Sequence, residues 1–220
     1  AIAPQMIYNI NLWTGNNYRF THRVDWYLST LLRKRLLSQA DGVIVEYTPM
    51  KKYIKSVSSI QNCKVFAPII FEGISSASAQ GRVTIPGHIE PERRNYEFFI
   101  NMLQDYLQGY KNKIEIYLLG SPSDSAGEAI TDQCEKMINS GWNIVYHDSW
   151  ISVDHFKRIL RESDLFVSPL NKYKSIGPVR ETYGQSKGSG VFGDAVRYGK
   201  PLMLPSYYNI PTEVEPIARS

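Results

Sequence analysis

The chain has 220 residues, 43% hydrophobic and 21% charged, with a formal net charge of +4. Those proportions are ordinary for a globular protein with room for one large domain or two small ones. A charge of +4 and a pI of 8.9 exclude the concentrated basic stripe of a nucleic-acid binder, and no apolar run approaches the roughly 20 residues of a bilayer span.

Short β-type runs alternate with longer helical ones along the whole chain. Met6 to Ile10 reads as a strand, and Val24, Leu28, Leu31 and Leu32 then recur at helical spacing. Gly42 to Glu46 is strand-like. Thr48 reads as an N-cap with Pro49 at the first helical position, where its missing N–H is harmless. Lys64 to Ile70 is another short strand, interrupted by Pro68, and residues 72–81, poor in large side chains, read as a linker.

A second series begins at Arg82. The strand "RVTIPG" precedes a helix carrying Tyr96, Phe99, Ile100, Leu103 and Leu107 on one face. "IEIYLLG" ends at Gly120 and is followed by a turn and a helix. "NIVYH" is a strand, and Val153, Phe156 and Leu160 line one side of the next helix. "DLFVSPL" is a strand. A polar loop from about Asn171 to Gln185 leads to a helix that stops at Gly199, then a brief apolar run.

Near-continuous apolar strands separated by amphipathic helices predict an α/β fold: a Rossmann-like, doubly wound parallel sheet. Such sheets bind ligands outside the carboxyl ends of their strands. The segments that matter therefore start at Gly87, Gly120, Asp148 and Ser168.

In "PGHIEPERRNY", Gly87 permits a tight turn, and His88, Arg93 and Arg94 place cationic donors beside a strand end and a helix start. Guanidinium groups and helix N-termini both suit phosphate oxygens; solvated arginines on a helix start are the plainer alternative. In "SKGSG", Gly188, Ser189 and Gly190 let backbone N–H groups approach a ligand, and Lys187 adds a point charge. The alternative is a loop entering a helix. Asp194 is either a favourable partner for the helix dipole or an acceptor for ribose hydroxyls.

"SDLFVSPL", then "DAVRYGKPLMLPS", together with "PGHIEPERR" in this order, resembles the donor-binding half of a GT-B glycosyltransferase. The resemblance covers most of Arg82 to Ser220. It implies a donor domain over residues 81–220, preceded over 1–80 by a linker and a partial second Rossmann-like, acceptor domain. A complete enzyme of this kind needs two such domains, so the front of the acceptor domain is expected to be missing.

The resemblance assigns Asp194 to the second acid of the family's ribose-holding pair and Ser186 to the first. His88 stands where the family has its diphosphate-binding arginine, and Arg93 where it has a lysine. Trp150, in "HDSWIS", falls in the loop that holds the nucleobase; a partly buried core tryptophan is the alternative. His88, Arg93 and Lys187 are then the expected catalytic group, stabilising a leaving nucleoside diphosphate. Gly87, Arg94, Trp150, Ser186, Gly188, Ser189, Gly190 and Asp194 are the expected substrate contacts.

The implied activity is transfer of a sugar from a sugar nucleotide to a glycan, lipid-linked or small-molecule acceptor, as in polysaccharide biosynthesis, with retention. The chain contains no Asp-x-Asp pair, so no metal or other cofactor is expected. A sugar-nucleotide epimerase or a phosphorylase of the same fold would carry similar motifs, but no lysine sits in a context for pyridoxal phosphate. A non-catalytic nucleotide-binding or scaffold protein is the reading that Ser186 and His88 favour.

Cys63 and Cys134 fit no metal spacing and are expected to be reduced, in a cytoplasmic protein. Asn17 to Leu37 sets Arg19, Arg23, Arg33, Lys34 and Arg35 close to Phe20, Trp26 and Tyr27. That mixture predicts peripheral contact with the inner membrane surface. An ordinary helix packed on the sheet through Val24, Leu28, Leu31 and Leu32 is the alternative.

Overall fold

The computed structural model describes residues 5–19, 24–67, 70–73, 81–212 and 214–219. In chain order its elements are β1 (Gln5–Ile7), α1 (Ile10–Thr14), α2 (Val24–Gln39), β2 (Val43–Val45), α3 (Thr48–Val57), β3 (Cys63–Val65), β4 (Arg82–Pro86), α4 (Tyr96–Tyr106), β5 (Glu115–Leu119), α5 (Ser125–Asn139), β6 (Ile144–Val145), α6 (Val153–Glu162), β7 (Leu165–Val167), β8 (Tyr173–Ile176), β9 (Val179–Thr182), α7 (Val191–Tyr198), β10 (Leu202–Met203) and β11 (Ala218–Arg219). They form two compact units. The first is Ala1–Ile69 with Lys172–Gly190 and Tyr207–Pro216; the second is Ile70–Asn171 with Val191–Ser206 and Ile217–Ser220. The units alternate along the chain instead of meeting at one boundary near residue 80.

The second unit is built on a six-stranded sheet of order β11-β10-β7-β4-β5-β6, with every pairing parallel. Counted by appearance within the unit, that is the 3-2-1-4-5-6 order of a dinucleotide-type Rossmann sheet, whose strand order reverses between β4 and β7. The helices form where the spacing predicts. Asn95 caps α4 by accepting from the Phe98 N–H at 2.9 Å, and Tyr96, Phe99, Ile100 and Leu103 are its buried face. Asp124 caps α5, accepting from Gly127 N–H at 2.9 Å, and Ile130, Cys134 and Met137 face the core at i, i+4 and i+7. In α6 the buried residues are Ile159 and Leu160, while Val153 is 55% exposed. The expected Val153 face turns toward a cleft described below.

The first unit holds a parallel sheet of order β1-β2-β3 and, separately, an antiparallel β8-β9 hairpin. The expected loop over 171–185 is therefore largely this hairpin. Its register pairs Tyr173 with Thr182 and Ser175 with Arg180. Val179 and Glu181 point to the other face and are fully buried. Gly177, at φ 56°, takes the first of the two turn positions, the place where a two-residue hairpin turn favours glycine.

α2 corrects the packing expectation. Val24, Leu28, Leu31 and Leu32 are 65, 57, 45 and 59% exposed. The helix packs instead through Trp26, Thr30 and Leu37, spaced i, i+4 and i+11. The Thr30 methyl lies against Gly15 and the Trp26 ring against Gly177. Two glycine turns, having no side chain, admit this mixed face and leave the leucine face outward.

Candidate functional site

At the reversal point of the second unit, the segment after β4 is laced to the segment after β7. Asn95 N–H donates to Pro169 O at 2.7 Å, Asn171 N–H to Arg93 O at 2.9 Å, and the Asn171 amide to Pro91 O and Glu92 O at 2.8 and 3.0 Å. Beneath this lacing lies Arg94, 2% exposed. Its guanidinium donates to His88 O at 2.8 Å and to Pro86 O. Gly87, at φ 92°, passes so close that an added Cβ would sit 2.9 Å from the Arg94 Nη2. Arg94 was expected to meet substrate; its guanidinium is engaged with loop carbonyls, and it shapes the loop.

Gly120 brings the segment after β5 against the same loop: a Cβ there would stand 2.6 Å from the Gly87 carbonyl. The closeness opens a cleft of about 320 Å³ on the carboxyl side of β4 and β5, walled by Gly87, His88, Ser121, Trp150, Val153 and Phe156. Three residues singled out in the sequence, from two separate loops, thus line one space. His88 is exposed, with Nδ1 3.3 Å from Ser121 O. Trp150 is 71% exposed, so it is no core tryptophan, and its indole is available for stacking.

Arg93 is half-buried, and its Nε has no hydrogen-bond partner among the described residues. Ser168, the residue just past β7, is 0% exposed with its Oγ likewise unpartnered. Asp194 lies in the first turn of α7. That helix is the crossover between β7 and β10, so its first turn stands at the carboxyl edge of the sheet. Burial raises the Asp194 pKa from 3.8 to about 6, with Arg197 pulling the other way.

Ser186, Lys187, Gly188, Ser189 and Gly190 belong to the first unit. Ser186 is 0% exposed; its Oγ accepts from Thr182 N–H at 2.8 Å and from the Asn11 amide at 3.3 Å. It is part of a buried polar network, so the structure gives it a place inside the unit and not on a ligand surface. The Lys187 amine donates to Asn9 Oδ1 at 2.7 Å. It also faces Glu46, whose carboxyl burial raises and Lys187 lowers. The Gly188 backbone runs against that carboxylate, closer than any side chain would permit. Ser189 is 1% exposed with an unpartnered Oγ among the described residues, and Gly190 is exposed.

Two residues escaped sequence reasoning. Ser121 follows a flagged glycine and only its place in the cleft distinguishes it. Glu181 sits in the supposed loop, yet its carboxylate accepts from the Asn11 and Leu12 N–H groups at 3.2 and 2.8 Å and caps α1 from 169–170 residues away. The alternation of the hairpin was its signal.

The sequence matches no protein-family model and no curated protein. The fold has clear counterparts among solved structures. The crystal structure of TarM superposes with a TM-score of 0.56 at 13% identity, over 92% of this chain and 36% of that one. A sucrose-phosphate synthase from Thermosynechococcus elongatus gives 0.55 at 14% identity, over 83% and 45%. A structure named as trehalose-6-phosphate from E. coli bound with UDP-2-fluoro glucose gives 0.50 at 13% identity, over 88% and 52%. The chain thus spans about a third to a half of the length of these neighbours. At such identities the likeness speaks for the fold, and the strand order and motif order agree with it: this chain has the Rossmann-like fold of the GT-B glycosyltransferases.

Proposed function

We propose that the second unit binds a nucleoside-diphosphate sugar in the cleft after β4 and β5, and that the protein transfers its glycosyl group to an acceptor hydroxyl. The observation that carries this reading is the convergence of Gly87, His88 and an exposed Trp150 on one cleft at the carboxyl edge of a 3-2-1-4-5-6 sheet. A neighbour of the same fold is named as bound with UDP-2-fluoro glucose. Trp150 offers a π-face to the base. His88 and Arg93 offer donors to the diphosphate, and Asp194 accepts from ribose hydroxyls. As the bond from the anomeric carbon to the donor phosphate oxygen breaks, its electron pair stays on the diphosphate, and cationic donors stabilise that charge. The acceptor oxygen forms the new bond to the anomeric carbon and gives its proton to the departing phosphate oxygen. Retention of configuration, independence of metal and a role in polysaccharide synthesis belong to the same proposal.

Calorimetry with UDP, GDP and ADP tests it. Trp150→Ala should weaken binding of the preferred nucleotide by about 1–3 kcal/mol, the worth of a base stacked on an aromatic ring. Arg93→Ala should cost about 1.5–3 kcal/mol, the worth of a charge-assisted hydrogen bond. Unchanged affinity in both variants would remove the nucleotide from this cleft.

A second reading, nucleotide binding without transfer, is favoured by the engagement of Arg94 and Ser186 inside the fold. The exposed leucine face of α2, beside Lys34 and Arg35, supports a further part of the proposal: a cytoplasmic protein that touches an anionic membrane surface.

A further inference from the structure

The loop that bears Trp150 is closed at its base by two histidines. His147 follows β6, and His155 lies in the first turn of α6. Their rings meet edge to face, with centroids 5.4 Å apart and planes at 87°. Residues 148–154 run out and back between them. Of these, Trp150, Ile151 and Val153 wall the cleft after β4 and β5. The return of the loop is fixed a second time where Ser152 caps α6, accepting from the His155 N–H at 3.2 Å.

Both rings are half-buried, and neither Nε2 has a hydrogen-bond partner among the described residues. The His155 Nδ1 lies 3.4 Å from a guanidinium nitrogen of Arg158. A guanidinium only donates, so that Nδ1 is an acceptor and the ring is neutral, with its proton on Nε2. A second proton would set donor against donor. His147 resists charging in another way: burial lowers its pKa, His155 adds to this, and Asp148 opposes both. A charged ring would also bury an N–H with no acceptor. The other charges about the pair are engaged or turned to water. On α6, Arg158 pairs with Glu162 at 3.6 Å and Asp154 is exposed; on α5, Glu135 accepts from the Tyr146 hydroxyl at 2.9 Å.

We propose that His147 and His155, as neutral rings in contact, position the Trp150 loop against the cleft, and that protonation of the pair at mildly acid pH releases it. They are positioning residues, since neither ring walls the cleft. The folded state prefers the neutral pair, so the closed loop is favoured above the ordinary histidine pKa of about 6.5 and weakens as pH falls through it. The consequence for nucleotide affinity rests on the reading in which Trp150 stacks on the base; the release of the loop does not.

NMR on the full chain at pH 7.5 and pH 5.0 reads the loop without any ligand. Backbone order parameters over residues 148–153 should fall from about 0.85 at pH 7.5 to below about 0.6 at pH 5.0, the rigid and flexible ranges, while α4 stays rigid. His147→Phe with His155→Phe keeps the edge-to-face contact and takes no proton, so its loop should stay rigid at both pH values. In the parent, the His147 ring should take its proton below about pH 6.5, and the loosening should follow it. A loop equally ordered at both pH values in the parent, the same loosening in the double variant, or a His147 ring that titrates higher overturns the proposal. Calorimetry with UDP, GDP and ADP then separates the pair from the nucleotide reading. Between pH 7.5 and pH 5.0 the parent should lose about tenfold more affinity than the double variant, within the worth of a stacked base, the Asp194 contribution being common to both. Identical pH responses in the two chains overturn the pair and leave nucleotide binding standing. Loop release with no nucleotide bound at either pH upholds the pair and removes the nucleotide instead.

Discussion

Asp194 shows how one residue joins stability to binding. Its folded pKa of about 6 lies above the usual 3.8 because burial disfavours the charged form. Between about pH 4 and pH 6 the folded state therefore holds a proton that the unfolded state has released. Stability from this group is present below pH 4 and is lost as pH rises through 6. Asp194→Asn should thus raise the melting free energy at pH 7.5 by up to about 2 kcal/mol, less than the full worth of two pKa units because solvent reaches part of the group, and change little at pH 4. If Asp194 holds ribose, nucleotide affinity in the parent should rise through pH 6 while the variant binds weakly at every pH. Thermal melts and calorimetry across pH 4–8 decide it; a variant that is destabilised at pH 7.5 marks Asp194 as a structural partner. At this scale the sequence was informative about residue types near strand ends. It was silent on direction. Arg93 and Arg94 are neighbours with the same side chain, yet Arg93 is half-buried while Arg94 is 2% exposed and donates to two carbonyls under the loop.

At the scale of elements, helix spacing in α4 translated directly into burial of Tyr96, Phe99, Ile100 and Leu103, whereas α6 buries Ile159 and Leu160 and leaves Val153 toward the cleft. α2 has two usable faces, and its neighbours chose. The turns at Gly15 and Gly177 accept Thr30 and Trp26, so Val24, Leu28, Leu31 and Leu32 face outward. Of the aromatic and basic residues grouped for a membrane role, Trp26 packs within the first unit and Arg19 lines a concavity of it, while Phe20 and Arg23 lie outside the described residues. Tyr27, Lys34 and Arg35 remain exposed beside the leucines. Co-sedimentation should therefore recover the protein with anionic vesicles at low salt. Recovery should fall as salt shortens the Debye length below about 8 Å, since each basic residue near such a surface contributes about 1 kcal/mol. Leu28→Asp with Leu32→Asp should abolish recovery without lowering the melting temperature, both side chains being exposed. Equal recovery with neutral vesicles, or none with either, removes the membrane from the account.

For the whole molecule, the test is chemical: incubation with UDP-, GDP- and ADP-sugars should release nucleoside diphosphate in the presence of a competent acceptor, and Arg93→Ala should slow that release by about tenfold or more, as expected for a lost charge-assisted contact. Tight nucleotide binding with no release from any donor favours the binding-protein reading. The sequence by itself determined the fold class. Alternating apolar strands and amphipathic helices admit few arrangements other than a covered parallel sheet, and the motif order from Arg82 onward pointed to the GT-B type of Rossmann-like fold. It also placed four loops at the carboxyl edge, which follows from strand direction. Only the tertiary structure decided that Lys172–Gly190 belongs with the first unit, that Ser186 is sealed in a polar network, and that Trp150 stands open beside Gly87 and His88. Those outcomes depend on contacts between segments from about 60 to 180 residues apart, and local periodicity carries no information at that range.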